Sequence, residues 1–212
     1  MGPLVLALIA LPIFFLLMFL NIITLSFAKL GLSPEAALVL LLGTLVGSMI
    51  NIPVSRRRIV FEQPRPFYYR YFFYLPPQVA HQVIAVNVGG ALIPTGFALY
   101  LLPRAPLVPT LIATIVLAIT TRLLARPVPG VGIVMPAWIP PLISAGLAFL
   151  LARDNPAPVA YISGVVGTLV GADLLNWPNF RKLGAQVISI GGAGVFDGIF
   201  LSGIGAVLIA SL

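Results

Sequence analysis

The apolar residues of this chain fall into seven long blocks separated by short polar breaks. The blocks run Leu4–Phe27, Glu35–Val54, Val79–Leu102, Val108–Ala125, Pro136–Leu151, Val159–Asn176 and Val187–Leu212. A helix of about 20 apolar residues crosses a bilayer, so the pattern predicts about seven transmembrane helices in one integral membrane domain over residues 1–212. The first block lacks a charged leading region and is too long for a signal-peptide core, which reads as a retained helix. Ser33-Pro34-Glu35 opens the second with a capping residue followed by proline. Pro136, Pro140 and Pro141 crowd the start of the short fifth block. Gly191-Gly192-Ala193-Gly194 breaks the seventh, since glycine runs make poor helix.

Composition turns this pattern into a class. Hydrophobic residues make up 60% of the 212, charged residues 8%, and the mean hydropathy is +1.11. A soluble domain carries about 25% charged residues. A soluble protein, a disordered chain and an oligonucleotide binder are therefore excluded, and the fold class is an all-α polytopic membrane protein. With no cysteine and a single histidine, His81, neither disulfides nor a thiolate or multi-histidine metal site is expected.

The net charge of +7 reads as orientation. The breaks after blocks two, four and six hold Arg56, Arg57, Arg58, Arg65, Arg70, Arg122, Arg126, Arg181 and Lys182. Those after blocks one, three and five hold only Lys29, Arg104 and Arg153. Basic loops face the cytoplasm, so the N-terminus is expected inside and the C-terminus outside. Residues 56–78 form the one sizeable break. Eight of the 21 aromatic residues lie in Phe61–Tyr74, interleaved with arginines, which predicts a cytoplasmic interfacial loop on anionic lipid.

Candidate chemistry lies in the acidic residues. Of the five, Glu35, Glu62 and Asp154 sit in breaks or at helix starts, while Asp173 and Asp197 stand in apolar runs. A carboxylate inside a membrane helix costs about 2.5–3.5 kcal/mol and marks a functional site by default. Asp173 lies three residues from the cytoplasmic end of block six, about 5 Å deep at 1.5 Å per residue. If the glycine break makes the last helix begin near Ala193, Asp197 comes about one turn in, at a matching depth. Two carboxylates sharing a site hold one proton between them. One can then activate water while the other protonates a leaving group. The same pair can carry protons or, with asparagine carbonyls, hold a hard cation.

Other polar or backbone-breaking residues fall on the same side: Asn51, His81, Gln82, Asn87, Gly89, Gly90, Pro136, Ala137, Asn176, Gly192 and Gly194. Intramembrane polar groups face the bundle interior, and broken backbone is tolerated where it lines a cavity. One polar cavity open to the cytoplasm is expected, with Asn51, Asn87, Gly89, Gly90, Pro136, Ala137, Asn176, Gly192 and Gly194 as substrate-binding candidates. Gly43/Gly47, Gly167/Gly171 and Gly194/Gly198 have the spacing of close helix packing.

The segments Ser163–Thr168, Gly171–Asn176 and Ser189–Leu201, with Asn87–Pro94 and Pro136–Pro141, resemble the prokaryotic membrane family known as domain of unknown function 1614. The resemblance runs from Asn51 onward and implies a multi-pass protein of the prokaryotic cytoplasmic membrane, with no stated activity. A second similarity, limited to two helices, is to presenilin and signal-peptide-peptidase-type intramembrane aspartyl proteases. These carry one aspartate on each of two successive helices, the second after a Gly-x-Gly, with a Pro-Ala-Leu segment near the site. Here Asp173 and Asp197 occupy such positions. Val195 and Phe196 intervene between Gly194 and Asp197, Ala172 replaces a tyrosine, Pro136-Ala137-Trp138 precedes the aspartates, and two helices are missing.

The expected function is a membrane-embedded aspartyl hydrolase, of intramembrane-protease type, with Asp173 and Asp197 as the catalytic pair and no cofactor or metal. The alternatives are a proton-coupled or cation-binding small transporter using the same aspartates, and a non-catalytic membrane scaffold. Expected partners are membrane lipids, a transmembrane helical substrate and further copies of the chain, with no nucleic acid.

Overall fold

A computed structural model describes residues 3–61, 78–128, 132–183 and 187–210. Most of them are helical. Helix α1 spans Pro3–Lys29 and α2 Pro34–Gly47. After a hairpin of β1 (Asn51–Phe61) and β2 (Gln78–Asn87), a π-helical turn at Val88–Leu92 leads into α3 (Ile93–Leu101). Helix α4 spans Leu107–Leu124, followed by the short strands β3 (Arg126–Val128) and β4 (Gly132–Val134), then α5 (Ile139–Leu151). Helix α6 starts at Pro156–Ile162 and continues through π-helical stretches to Asp173 and a 3-10 stretch over Leu174–Leu183. Strand β5 (Val187–Ile190) precedes α7 (Ala193–Leu201), which runs on through a π turn into α8 (Val207–Ala210).

Among the described residues three helices are long and apolar enough to cross a membrane: Ala10–Lys29, Leu107–Leu124 and Pro156–Phe180. Their burial ranks them by position. Only 17% of the first window is buried inside the protein, 28% of the second and 72% of the third. Helix α6 is thus the central helix, and α1 presents Leu11, Phe14 and Phe15 outward. Tyr161 on α6 meets Phe97 on α3 edge-on at 5.0 Å, and Phe97 meets Phe27 on α1 at 6.1 Å, which ties the peripheral helix to the centre.

Close approach of α6 to α4 depends on one glycine in particular. A Cβ built on Gly171 would lie 2.0 Å from Thr121 Oγ1 and 2.1 Å from the Ala118 carbonyl oxygen. Thr121 Oγ1 in turn donates to the Gly167 carbonyl at 3.2 Å. The Gly167/Gly171 spacing is a packing device, as expected of small residues one turn apart.

The sequence reading is corrected where it ran apolar blocks through as helix. Block two ends as helix at Gly47, and Asn51, Ile52 and Pro53 open strand β1. Block three begins as strand: Val79–Asn87 lie in β2, and helix follows only from Val88. Block seven begins as strand β5, and its helix starts at Ala193. The reason is common to all three. These stretches are rich in Val and Ile, which suit a pleated sheet as well as a membrane helix, and the middle strand β2 supplies both of the others with hydrogen-bond partners. The sheet order is β1-β2-β5, antiparallel between β1 and β2 and parallel between β2 and β5. Pro53, which has no N–H to give, sits where the register slips between Pro53 and Ser55. Residues 56–61 of the expected surface loop belong to β1; residues 62–77, with most of the aromatic run, lie outside the described residues.

Candidate functional site

The sheet ends where three helices begin or stop, and the polar residues gather there. Asn87 is the last residue of β2 and the N-cap of the π turn. Its backbone is extended (φ −75°, ψ 131°), which frees the side chain to turn back on the helix. Its Oδ1 accepts from Gly90 N at 2.7 Å. Its Nδ2 donates to the Ser48 carbonyl at 2.7 Å, closing off the end of α2, and to Asn51 Oδ1 at 3.1 Å. Asn51, the first residue of β1, pairs with Asn87 across the ladder. On the far side of β2, Ser189 of β5 also donates its hydroxyl to Asn51 Oδ1. One side-chain network therefore joins all three strands at their membrane-helix end.

Strand β5 then turns sharply. Gly191 has φ +71°, a left-handed conformation that favours glycine. Gly192 caps α7, accepting from Val195 N at 2.9 Å and Phe196 N at 2.7 Å. The turn is wedged against the π turn: a Cβ on Gly90 would lie 1.9 Å from the Gly191 carbonyl oxygen, and one on Gly191 would lie 2.7 Å from the Gly90 carbonyl carbon. On the other side, a Cβ on Gly194 would lie 2.0 Å from the Ile133 carbonyl oxygen, so α7 sits directly on β4.

Asp173 closes the π-helical part of α6 and is buried, with 2% of its surface exposed. Its Oδ2 accepts the backbone N–H of Gly191 at 2.6 Å. A buried carboxylate thus holds the turn from behind. Asp197 lies one turn into α7, as the glycine break led us to expect, and its side chain is exposed.

Two cavities that share Ser48, Asn87 and Gly192 in their walls open at this point. One, of about 240 Å³, runs between β5 and β4 and is lined by Ser48, Asn51, Asn87, Ser189, Gly192 and Gly194 among others. The other, of about 260 Å³, is lined by Ser48, Asn87, Gly191, Gly192, Phe196 and Asp197. Of the residues singled out from sequence, Asn51, Asn87, Gly192, Gly194 and Asp197 line these cavities. Asp173 does not; it stands behind Gly191. Gly89 and Gly90 are buried packing positions, a Cβ on Gly89 lying 1.9 Å from the Thr44 carbonyl oxygen. Asn176 is spent within its own helix, donating to the Ala172 carbonyl at 2.8 Å and accepting from Asn179 at 3.1 Å. Pro136 and Ala137 line neither cavity; the Ala137 carbonyl oxygen lies beside α7 at Gly198. Gln82 is buried and donates to the Phe180 carbonyl at 3.1 Å, tying β2 to the end of α6.

Sequence reasoning missed Ser48 and Ser189, and read Gly191 only as part of a helix break. Serines near an apolar segment's end carry no signal of their own. The Ser189–Asn51 bond joins residues 138 apart, which no local pattern reveals. Among the described residues, no three His, Asp or Glu side chains gather as a set able to hold a metal ion. What the arrangement offers is a carboxyl group, side-chain amides and hydroxyls around a small polar space, with a second, buried carboxyl one residue behind its wall.

The family model described as protein of unknown function (DUF1614) matches residues 45–209, which include the whole site. No curated protein and no solved structure matches the chain.

Proposed function

For this chain, which belongs to the DUF1614 family, we propose a membrane-embedded aspartyl hydrolase that cuts a peptide bond in or beside the bilayer. One observation carries the reading. The Gly191 turn is bonded to Asp173 and lines, with Asp197, the polar cavity. Two carboxyl groups in apolar helices thus flank one glycine turn, and carboxyl groups in membrane helices are retained for function.

In this reading the Gly191 turn, which stands between Asp173 and the cavity in this structure, moves aside so that Asp173 and Asp197 hold one proton between them. A water molecule attacks the scissile carbonyl carbon as the ionised carboxylate takes one of its protons. The protonated carboxyl gives its proton to the departing amide nitrogen, and the C–N bond breaks. The products are an acid and an amine, and the pair again holds one proton. Oδ2 of Asp173 is engaged by Gly191, and no described residue bonds Oδ1, the oxygen assigned to this exchange. Asn51, Asn87, Gly192 and Gly194 form the substrate wall.

We further infer seven crossings with the N-terminus on the cytoplasmic side of a prokaryotic membrane. Three long apolar helices, the shorter apolar helices Pro34–Gly47, Ile139–Leu151 and Gly194–Gly205, the apolar helical stretch from Val88 to Leu101 as the seventh segment, and the uneven distribution of basic residues between the breaks support it. The test of function is proteolysis of a transmembrane reporter peptide by the purified protein in bicelles. Wild type cuts it, and Asp173→Ala and Asp197→Ala do not. A wild-type protein that binds the reporter without cutting it, or an active Asp197→Ala protein, refutes the reading.

A second reading has its own support. Each lobe of the cavity is smaller than the roughly 300–1,000 Å³ of ordinary ligand sites, and Asp197 is its sole carboxyl group among the lining residues. That suits a small cation or a proton-coupled solute. It predicts pH-dependent flux in liposomes, and flux unaltered by the double Asp→Asn variant removes it.

A further inference from the structure

The direction of the Asn87–Asn51–Ser189 network is set by a single backbone group. Gly90 N–H can only donate, so the Asn87 atom facing it is an acceptor, Oδ1. The other end of the Asn87 amide is then Nδ2, and both its hydrogens are used, one on the Ser48 carbonyl and one on Asn51. Asn51 must therefore turn its own oxygen towards Asn87. That oxygen accepts from Ser189 as well, and the Asn51 Nδ2 is left pointing away from the network.

The remaining side-chain donors in the cavity wall are committed. The Ser48 hydroxyl donates to the Leu45 carbonyl at 2.6 Å, and the Ser189 hydroxyl donates to Asn51. Asn87 has none left. Among the described residues no hydrogen bond uses Asn51 Nδ2, and Asn51 is an exposed residue lining the cavity between β5 and β4. Its two N–H groups are the uncommitted side-chain amide donors of the wall, fixed in orientation before any ligand arrives.

We propose that Asn51 Nδ2 is the substrate-docking donor of this cavity and that it takes a carbonyl oxygen of an extended peptide. The peptide as ligand class rests on the hydrolase reading above; the requirement for an acceptor atom rests on the network alone. A ligand whose leading group is a donor, such as an ammonium, meets two like-oriented N–H groups at Asn51 and is rejected there. A carbonyl oxygen between β5 and β4 is bound without any side chain having to reorient, which keeps the entropic cost of docking low.

The variant that isolates this role is Asn51→Asp. An aspartate oxygen still accepts from Asn87 and Ser189, so the network survives, but the two donors are replaced by an acceptor. The experiment is an NMR titration of the full-length ¹⁵N-labelled protein in micelles with N-acetyl-alanine-N-methylamide, following the side-chain NH₂ pair of Asn51 and the backbone amides of Gly192 and Gly194. In the wild type the Asn51 pair shifts saturably. In Asn51→Asp the backbone amides report binding weaker by about tenfold, the loss of one charge-free hydrogen bond and its orientation. Equal binding by folded Asn51→Asp, or a wild-type Asn51 pair that stays still while Gly192 and Gly194 shift, overturns the proposal. Should Asn51→Asp not fold, the wild-type titration alone decides, with the pair assigned from its own intraresidue correlations. Binding without cleavage refutes the hydrolase reading and leaves the docking donor standing; cleavage unaffected by Asn51→Asp refutes the docking donor and leaves the hydrolase.

Discussion

Gly191 donates its backbone N–H to Asp173 Oδ2 at 2.6 Å, across 18 residues of chain. The bond joins the end of the central helix to the turn that launches the last one. It gives Asp173 a structural duty beside any chemical one, and the two can be separated by substitution.

Asparagine at 173 keeps a carbonyl oxygen for Gly191 and loses the exchangeable proton. Asp173→Asn is therefore expected to fold with near wild-type stability and to lose peptide cleavage. Asp173→Ala leaves the Gly191 N–H without its acceptor in a buried site, which costs about 1–3 kcal/mol, and it too loses cleavage. Reversible unfolding in mixed micelles beside the reporter assay reads both. Cleavage by Asp173→Asn would end the case for Asp173 as an acid–base group.

The network at the sheet end predicts an asymmetry between two neighbouring asparagines. Asn51→Asp retains the acceptor that Asn87 and Ser189 need. Asn87→Asp retains the cap on Gly90 but sets a second carboxylate oxygen against the Ser48 carbonyl and Asn51 Oδ1, where donors stood. Loss of the two donated bonds and the repulsion between acceptors should destabilise Asn87→Asp by about 2 kcal/mol or more, and Asn51→Asp by less than half of that. Thermal melts of the two variants settle the order.

Two glycines in neighbouring helices give a packing test with an internal control. Gly171→Ala would drive a methyl into Thr121 Oγ1 and the Ala118 carbonyl, and the backbone atom cannot step aside. The expected cost is about 1–3 kcal/mol. A Cβ on Gly146 in α5 meets nothing within 4 Å, so Gly146→Ala should be neutral or stabilising by up to about 1 kcal/mol, the helix preference of alanine over glycine. Equal effects at the two sites would deny that α4 and α6 touch through Gly171.

The seven crossings proposed above would place the two ends of the chain on opposite sides of the membrane. Reporters fused after Leu212 and before Met1 should therefore signal from opposite compartments, with the N-terminal one cytoplasmic. Reporters on one side would require an even number of crossings and would also reverse the assignment of the cavity's open face.

The sequence alone located the features that apolar context makes conspicuous. A carboxylate in Gly171-Ala172-Asp173-Leu174 or Val195-Phe196-Asp197-Gly198 stands out because of its insertion cost, and a Gly191–Gly194 run breaks any helix. The blocks that became α1, α4 and α6 were legible because their length leaves few alternatives. The strands were not. Val-Ile-Ala-Val before Asn87 and Val-Ile-Ser-Ile before Gly191 satisfy a membrane helix and a buried strand equally. What decides between them is the presence of partner strands far away in sequence. Arg56, Arg57 and Arg58 were the available warning, since three consecutive arginines cannot continue a membrane helix, and the pairing of Arg56 with Val83 and Arg58 with His81 shows where that segment goes instead. The separation of Asp173 from the cavity was also beyond the sequence: depth along two helices can be counted, but the direction in which each side chain points cannot.

The contact between Gly90 and Gly191 has a consequence for how this site can change over generations. Steric conflicts in proteins are ordinarily relieved in pairs, one residue growing as its neighbour shrinks. Here both neighbours are already the smallest residue there is, and the colliding atoms are main-chain atoms on each side. A gain of volume at either position has no partner that can give way. The joint between the π turn and the last helix is thus expected to be a fixed point around which the cavity walls vary, and specificity in relatives should drift through Ser48 and Phe196 while these two positions stay still.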